Sequence, residues 1–395
     1  MNKSLIRRTQ FPVTSNLIYL NHAAVGPLSK AASEAMGRHA QNQRDFGALA
    51  WREWYAEHAR LRNSAARLTG ATPAEISILK NTSEGLSFVA EGLRWYAGDN
   101  VITTDMEFPS NFTPWIHLQR RGVECRIVKS RNGSFTPADI EALIDRHTRL
   151  VAISSVSFHN GFVADLDAIG ELCAAKKVLL CVDAIQSLGA LRMDVKRSKI
   201  SFMAADGHKW MLGPEGAAIF YCAEEAREQL EVLEVGWMNF DFGGEWIGKR
   251  PELRSDGRRF EAGSLNTNGI YGLRASINLL LEVGIEQIER EVIRLAEYLA
   301  RRLEGIGWPL STGWPQRSGI VSVTPPRVDQ ERLRCLLNET KETSASAGST
   351  LMQLHRLLEK SRVICSPREG MLRFAPHFYN DETEIDLAVD VLKSI

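Results

Sequence analysis

Asp183 closes one apolar run, in Val182-Asp183-Ala184-Ile185-Gln186, and Lys209 follows the next, in Ala205-Asp206-Gly207-His208-Lys209-Trp210, 26 positions downstream. An acid and an amine at two strand ends can hold one ligand between them. Pyridoxal phosphate uses both: a lysine amine holds its aldehyde as a Schiff base, and a carboxylate keeps its pyridine nitrogen protonated. The protonated ring then draws electrons from the α-carbon of an amino acid. A lone Asp after a strand also caps helices. Gln186, three residues on and placed to donate to the phenolic oxygen, and Lys209 itself favour the cofactor. Lys209 must be neutral part of the time, which burial promotes. Gly207, Trp210, Gly213 and Gly216 around it imply a close-packed backbone rather than a solvated surface. His208 is a candidate for orienting the phosphate or the lysine.

A phosphate needs backbone N–H groups at a helix N-terminus. Asn81-Thr82-Ser83-Glu84-Gly85 follows an apolar run and opens a helical pattern, so Thr82 and Ser83 are the candidates; a plain N-cap has the same geometry. Phe108, in Met106-Glu107-Phe108-Pro109, follows another strand-like run and can stack on the pyridine face. Arg373, in Leu372-Arg373-Phe374-Ala375-Pro376, can clamp a substrate carboxylate with two parallel N–H bonds.

These residues need strand ends on one edge of a sheet. Ile76–Lys80, Asn100–Thr104, Leu150–Ser155, Val178–Val182, Ser201–Ala205 and Gly216–Tyr221 read as strands, with helical stretches such as Pro137–Ile144 and Asp167–Ala175 between them. Such alternation predicts parallel βαβ units with helices on both faces and a site at the strands' carboxyl ends. After about residue 265 the pattern changes. Ile285, Ile288, Val292, Leu295, Leu299 and Leu303 form a helical stripe over Gly284–Glu304, and Ser318–Val323 and Met371–Phe374 read as strands of a smaller α+β domain. The small, polar loop Thr343–Thr350 reads as a linker. The expected division is an arm over 1–20, a large cofactor-binding domain over 21–265 and a small domain over 266–395.

The bulk composition sets outer limits. With 395 residues, 44% hydrophobic and 24% charged, the chain is long enough for two cores. Lys plus Arg equals Asp plus Glu at 48 each, which gives no electrostatic reason to expect nucleic acid or an anionic membrane as partner. Six cysteines without a CxxC or adjacent histidines imply neither a disulfide framework nor a metal site. No apolar stretch is long enough to span a bilayer, and the N-terminus lacks a signal-like run, so a cytoplasmic protein is expected.

Taken together, the segments around Asp183, Lys209 and Arg373, with Tyr19-Leu-Asn-His-Ala-Ala-Val-Gly26, Phe260-Glu-Ala-Gly-Ser264 and Tyr379-Asn380, resemble the class V aminotransferases. That fold-type I group includes cysteine desulfurases, selenocysteine lyases, kynureninase and isopenicillin-N-epimerase-like proteins. The resemblance covers nearly the whole chain. It implies a large domain with a mostly parallel seven-stranded sheet, a small α+β C-terminal domain and pyridoxal 5'-phosphate on Lys209. It implies Asp183, Gln186, Thr82, Ser83, Phe108 and His208 around the cofactor, and Arg373, Asn21 and Ala24 on the substrate side. It also implies a homodimer in which Ser264 lends a hydroxyl to the partner's cofactor phosphate. Two departures stand out. Asp206 occupies a position where relatives often carry Ser or Thr, so its carboxylate must turn away from a phosphate. Phe158 replaces a residue that is often polar. The desulfurase reaction turns on a cysteine in a mobile loop; Cys365 is the one candidate, and its strand-like surroundings suit a core residue better. The expected activity is transamination of an amino acid, which needs no group beyond Lys209. Cβ–S or Cβ–Se cleavage comes second and epimerisation third.

Overall fold

The computed structural model describes residues 3–243, 247, 250–311, 313, 315, 317–337 and 349–395. A short strand β1 (Ile18–Tyr19) precedes a seven-stranded sheet made of β2 (Ile76–Leu79), β3 (Asn100–Thr104), β4 (Glu124–Val128), β5 (Thr148–Ser154), β6 (Leu179–Asp183), β7 (Phe202–Asp206) and β8 (Ala218–Cys222). Its order is β2-β8-β7-β6-β5-β3-β4. Only the two pairings of β8 are antiparallel; the others are parallel. The inner strands read as unbroken apolar runs because both faces are covered: every residue of β7 and β8 is buried. The expected sheet is present, but β4 was not legible in the sequence. It is an edge strand with an exposed Glu124 and half-buried Cys125, Arg126 and Ile127, so its pattern lacks the apolar run. Asp183 is the last residue of β6 rather than the first after it.

Crossovers between parallel strands place loops above the sheet's carboxyl edge. β3 ends four residues before Phe108, β6 ends on Asp183, and β7 ends three residues before Lys209. The helix Thr82–Gly92 lies across β7. It comes so close at Gly85 that a Cβ there would sit 2.9 Å from that of Ala204 and 3.0 Å from the Phe220 ring.

The C-terminal part has a second core. The strands β9 (Phe240–Asp241) and β10 (Glu252–Leu253) form a small ribbon before it. The strands β11 (Val321–Val323), β12 (Val363–Ile364), β13 (Ser366–Arg368) and β14 (Met371–Phe374) follow, and an antiparallel sheet forms in the order β11-β14-β13. Leu295, Leu299 and Leu303 of the helix Ile285–Glu304 pack here with Leu354, Leu358 and Phe374, as the stripe requires. The strand expected over Ser318–Val323 begins only at Val321, because Ser318 turns aside to donate to the Gly161 carbonyl at 2.8 Å. In the Thr343–Thr350 loop, residues 343–348 lie outside the described residues, and Thr350 begins the helix Thr350–Lys360. The helix Thr267–Val283 lies against the helices Lys30–Phe46 and Trp51–Thr69. β1 pairs in parallel with β12, and Asn21 bridges to Ala375, so the N-terminal segment is tied to the C-terminal strands. Among the described residues no helix is long and apolar enough to cross a membrane.

Where these parts meet, His22 and His377 are fully buried beside Trp210 and Tyr379. His22 Nδ1 faces the Ala375 carbonyl at 2.7 Å and must carry the proton, which leaves Nε2 to accept from the Tyr379 hydroxyl at 2.6 Å. His377 Nε2 donates to the Trp210 carbonyl at 3.0 Å, and Nδ1 accepts the Phe378 N–H. Both rings are therefore neutral. Burial pushes His377 down to about 4 and His22 well below its ordinary value. A group whose folded value is depressed in this way leaves more protons on the unfolded chain below its unfolded value of roughly 6.5, so its contribution to stability is lost as pH falls from there. We expect the destabilisation caused by His377→Gln, measured by urea unfolding, to shrink by roughly 2 kcal/mol between pH 7 and pH 5, because the variant lacks the group that titrates. Comparing variant with wild type at each pH removes the opposing contribution of buried carboxylates such as Glu107.

Candidate active site

Lys209 sits in a turn that begins with Gly207 N donating to the Ala217 carbonyl (3.0 Å) and closes with Leu212 N on the Lys209 carbonyl (3.1 Å). The segment Asn21–Gly26 runs directly over it. Gly26 N donates to the His208 carbonyl, and a Cβ on Gly26 would lie 2.2 Å from the Lys209 carbonyl oxygen, so only glycine fits that crossing. The Lys209 amine stands 5.6 Å from the centre of the Phe108 ring. Burial lowers its pKa to about 8, against the raising effect of Asp183. Asp183 is itself buried, which raises it to about 6, and its Oδ1 accepts the Ile185 N–H at 3.0 Å. The amine thus stands beside an aromatic ring and within the field of a carboxylate, each borne near a different strand end.

Gln186 is held in place by its neighbours. Its Nε2 donates to the Ala23 carbonyl and its Oε1 accepts from Trp210 Nε1, each at 2.9 Å, which leaves one amide N–H free to serve a ligand. The helix Thr82–Gly92 presents its N-terminus nearby. Asn81 caps it through a bond from Glu84 N, Thr82 Oγ1 accepts the Asp206 N–H (2.9 Å), and Ser83 Oγ donates to Ser110 Oγ (2.8 Å). Because the Asp206 N–H occupies an acceptor site on Thr82, the Thr82 hydroxyl proton is left to point outward. Asp206 Oδ1 lies 3.1 Å from His208 Nδ1. The two atoms approach without forming a hydrogen bond, and both are buried with no partner. Asn21 and Ala24 are half-buried in the overlying segment, with Asn21 Oδ1 enclosed and without a hydrogen-bond partner. Ser264 stands apart. It is exposed and lines a cavity with Lys80, Glu84 and Gly216 that does not include Lys209.

Arg373 on β14 is only 2% exposed. One guanidinium nitrogen donates to the Phe158 carbonyl at 2.6 Å, while Nε and Nη2 are buried with no partner. Burial and the charge of Arg368 push it down to about 9, far from the usual guanidinium range. Two adjacent unmet donors on a planar cation are the shape of a carboxylate site. Phe158 supports that arginine by its backbone, and its ring meets Phe108 edge-on at 5.2 Å.

The comparisons with known proteins bear on this arrangement. The family described as "Aminotransferase class-V" matches residues 18–388. The chain belongs to that family. It is 31% identical to a probable cysteine desulfurase of Methanothermobacter thermautotrophicus, over 98% of this chain and 97% of that relative. It is 29% identical to an uncharacterized aminotransferase, YcbU, of Bacillus subtilis, over 93% of each. Among solved structures it is similar to the cystine C-S lyase C-DES in complex with its product cysteine persulfide, with a TM-score of 0.86, 25% identity and coverage of 97% of this chain and 99% of that one. It is also similar to the apo cysteine desulfurase of Thermococcus onnurineus NA1, with a TM-score of 0.82, 25% identity and coverage of 100% and 98%.

Class V enzymes use pyridoxal phosphate, and the residues present here fit it. Lys209 stands beside the Phe108 ring and within the field of Asp183, and Gln186, with one amide N–H uncommitted, and the Thr82 helix start belong to the same sheet. Cys365 does not resemble an accessible nucleophile: it is 2% exposed, and burial raises its thiol far above its ordinary value.

One residue of this class V site escaped the sequence reading. Glu107, just before Phe108, is enclosed and accepts four hydrogen bonds: from Thr104 Oγ1 (2.9 Å), Asn111 Nδ2 (2.8 Å), Ser154 N (3.0 Å) and Ser154 Oγ (2.5 Å). Burial pushes its carboxyl up to about 7 against those bonds. It ties the loop bearing Phe108 to the end of β5, beside Asp183, with which Ser154 pairs. An acid three residues past a strand is the available signal, but one acid among 48 carries little information. Glu107→Gln places an NH2 group against these donors and should destabilise the protein by about 2 kcal/mol, read from denaturant midpoints.

Proposed function

We propose that this class V enzyme is a pyridoxal-phosphate-dependent lyase that cleaves the Cβ–S bond of a cysteine-like amino acid without using a thiol of its own. The observation that carries this reading is the contrast between Arg373, whose buried unmet donors await a carboxylate, and Cys365, which is sealed in the core. The relatives named for desulfuration and C–S cleavage support a sulfur-containing substrate.

Bound pyridoxal phosphate supplies an electron sink conjugated to the α-carbon. Asp183 would hold the positive charge of its ring nitrogen, Phe108 would stack on the ring, Gln186 would offer its free N–H to the phenolic oxygen, and Thr82, Ser83 and His208 would serve the phosphate. Asn21 and Ala24 close the substrate side. Arg373 fixes the α-carboxylate and so sets which bond at Cα stands toward Lys209. With a pKa near 8, the Lys209 amine is partly neutral at physiological pH and can take the Cα proton, then return it to the departing sulfur. The Cα–H and Cβ–S bonds break and a carbon–carbon double bond forms. The sulfur leaves with that proton, as hydrogen sulfide from cysteine or as a persulfide from cystine, and water converts the remaining enamine to pyruvate and ammonia.

We further propose a homodimer. The exposed Ser264 would reach the partner's phosphate, and exposed Trp51, Tyr55 and Trp237 border the neighbouring cavities.

The test is the holoenzyme with cysteine and cystine. Pyruvate and ammonia should appear in equal amounts, without added keto acid and undiminished in Cys365→Ala. Product formed only when a keto acid is supplied would establish transamination instead, and loss of sulfur release in Cys365→Ala would restore the thiol mechanism.

A further inference from the structure

Arg368 and Arg373 stand on the two strands of one hairpin. The register pairs Ser366 with Arg373, Pro367 with Leu372 and Arg368 with Met371. Directly paired residues share a face of an antiparallel ladder, as do residues two apart on one strand. Arg368 therefore lies on the same face as Arg373, one diagonal step away, a separation of roughly 7–8 Å between backbones. Arg373 is buried and Arg368 exposed, so the face runs from the floor of the site toward its mouth.

The surroundings offer Arg368 little. Among the described residues its guanidinium donates only to the adjacent Pro367 carbonyl, at 3.0 Å, and pairs with no carboxylate. Its charge reaches inward, lowering both Arg373 and Lys209. Two like charges on one face repel unless anions join them. The unmet donors of Arg373 account for one anion, the α-carboxylate. The nearby wall, Phe108 against Phe158, provides none.

We propose that Arg368 is a specificity-determining residue that selects amino acids with a second negative charge on the side chain, at aspartate to glutamate length. The inference rests on the reading of Arg373 as the α-carboxylate site. In the lyase reaction it points to an S-linked anionic group such as cysteine S-sulfonate. There the Cβ–S bond breaks, thiosulfate leaves with the bonding pair, and the Cα proton passes to Lys209.

Aspartate and asparagine have the same shape and differ in charge. Absorbance titration of the holoenzyme with each gives their dissociation constants without any Cβ–S chemistry. We expect aspartate to bind at least 10-fold tighter than asparagine, a difference of about 1.4 kcal/mol. Arg368→Gln should bring the ratio toward one through loss of aspartate binding, Arg368→Glu should invert it, and Arg368→Lys should keep part of it. Equal binding of the two ligands by the wild type overturns the proposal. So does an Arg368→Gln variant that weakens both by the same factor, since that marks a shared α-carboxylate contact. Pyruvate release from cysteine S-sulfonate and S-methylcysteine tests the lyase reading separately: its absence from both defeats that reading, while the aspartate-to-asparagine ratio still decides Arg368.

Discussion

Lys209→Ala should yield a folded protein that lacks the imine absorbance band and turns over amino acids at least ~10⁴-fold more slowly than wild type. One side chain supplies both the covalent attachment and the carrier of the Cα proton, so both functions disappear together. The half-buried lysine holds its amine opposite Phe108, with its pKa lowered to about 8. The helix start at Thr82 and the carboxylate of Asp183 remain, so the variant should still bind the cofactor non-covalently, seen as a free-aldehyde spectrum removed by dialysis. A variant that keeps the imine band and wild-type turnover would show that another amine holds the cofactor.

Arg373→Met should separate affinity from stability. Loss of the two donors aimed at the α-carboxylate should lower kcat/KM by about 10²–10³-fold, mostly through KM, since a hydrogen-bonded charge pair removed from a buried site costs roughly 3–4 kcal/mol. In the free protein, however, this arginine is an uncompensated burden: it is 2% exposed, has two orphaned nitrogens, and is depressed by the nearby charge of Arg368. An apolar side chain of similar length should therefore raise the unfolding free energy by about 1 kcal/mol, read as an increased denaturant midpoint without substrate. A drop in both affinity and stability would mean that the bond to the Phe158 carbonyl, not the carboxylate, is the reason for the arginine. The two variants also discriminate between roles: Lys209→Ala acts mainly on kcat and the spectrum, Arg373→Met mainly on KM.

Several parts of the site could be read locally because each depends on a few consecutive residues. A strand that ends in Asp183, and another followed by Gly207-His208-Lys209, carry their own chemistry in their types and order. The helix start at Asn81-Thr82-Ser83 was legible because capping is local. β4 is not legible because an edge strand does not need the apolar run that marks buried strands, and Ser318–Ile320 carry a strand-like pattern but depart from it because of a distant carbonyl, that of Gly161. Glu107 was missed for a related reason: its four donors come from Thr104, Asn111 and Ser154, and Ser154 lies 47 positions away on a strand that becomes its neighbour only in the sheet.

By itself the sequence determined the cofactor chemistry, the alternating α/β architecture and the strand ends where the reactive groups stand, since periodicity and residue type act over short spans. Only the tertiary structure decided what surrounds those groups. The crossing of Gly26 over Lys209, the sealing of Cys365, the unmet donors of Arg373 and the placing of Arg368 on the same face all follow from strand register and burial. The last is set within one hairpin, while the others arise when segments far apart in the chain pack together, and no local pattern specifies which atoms will be left without partners when they do.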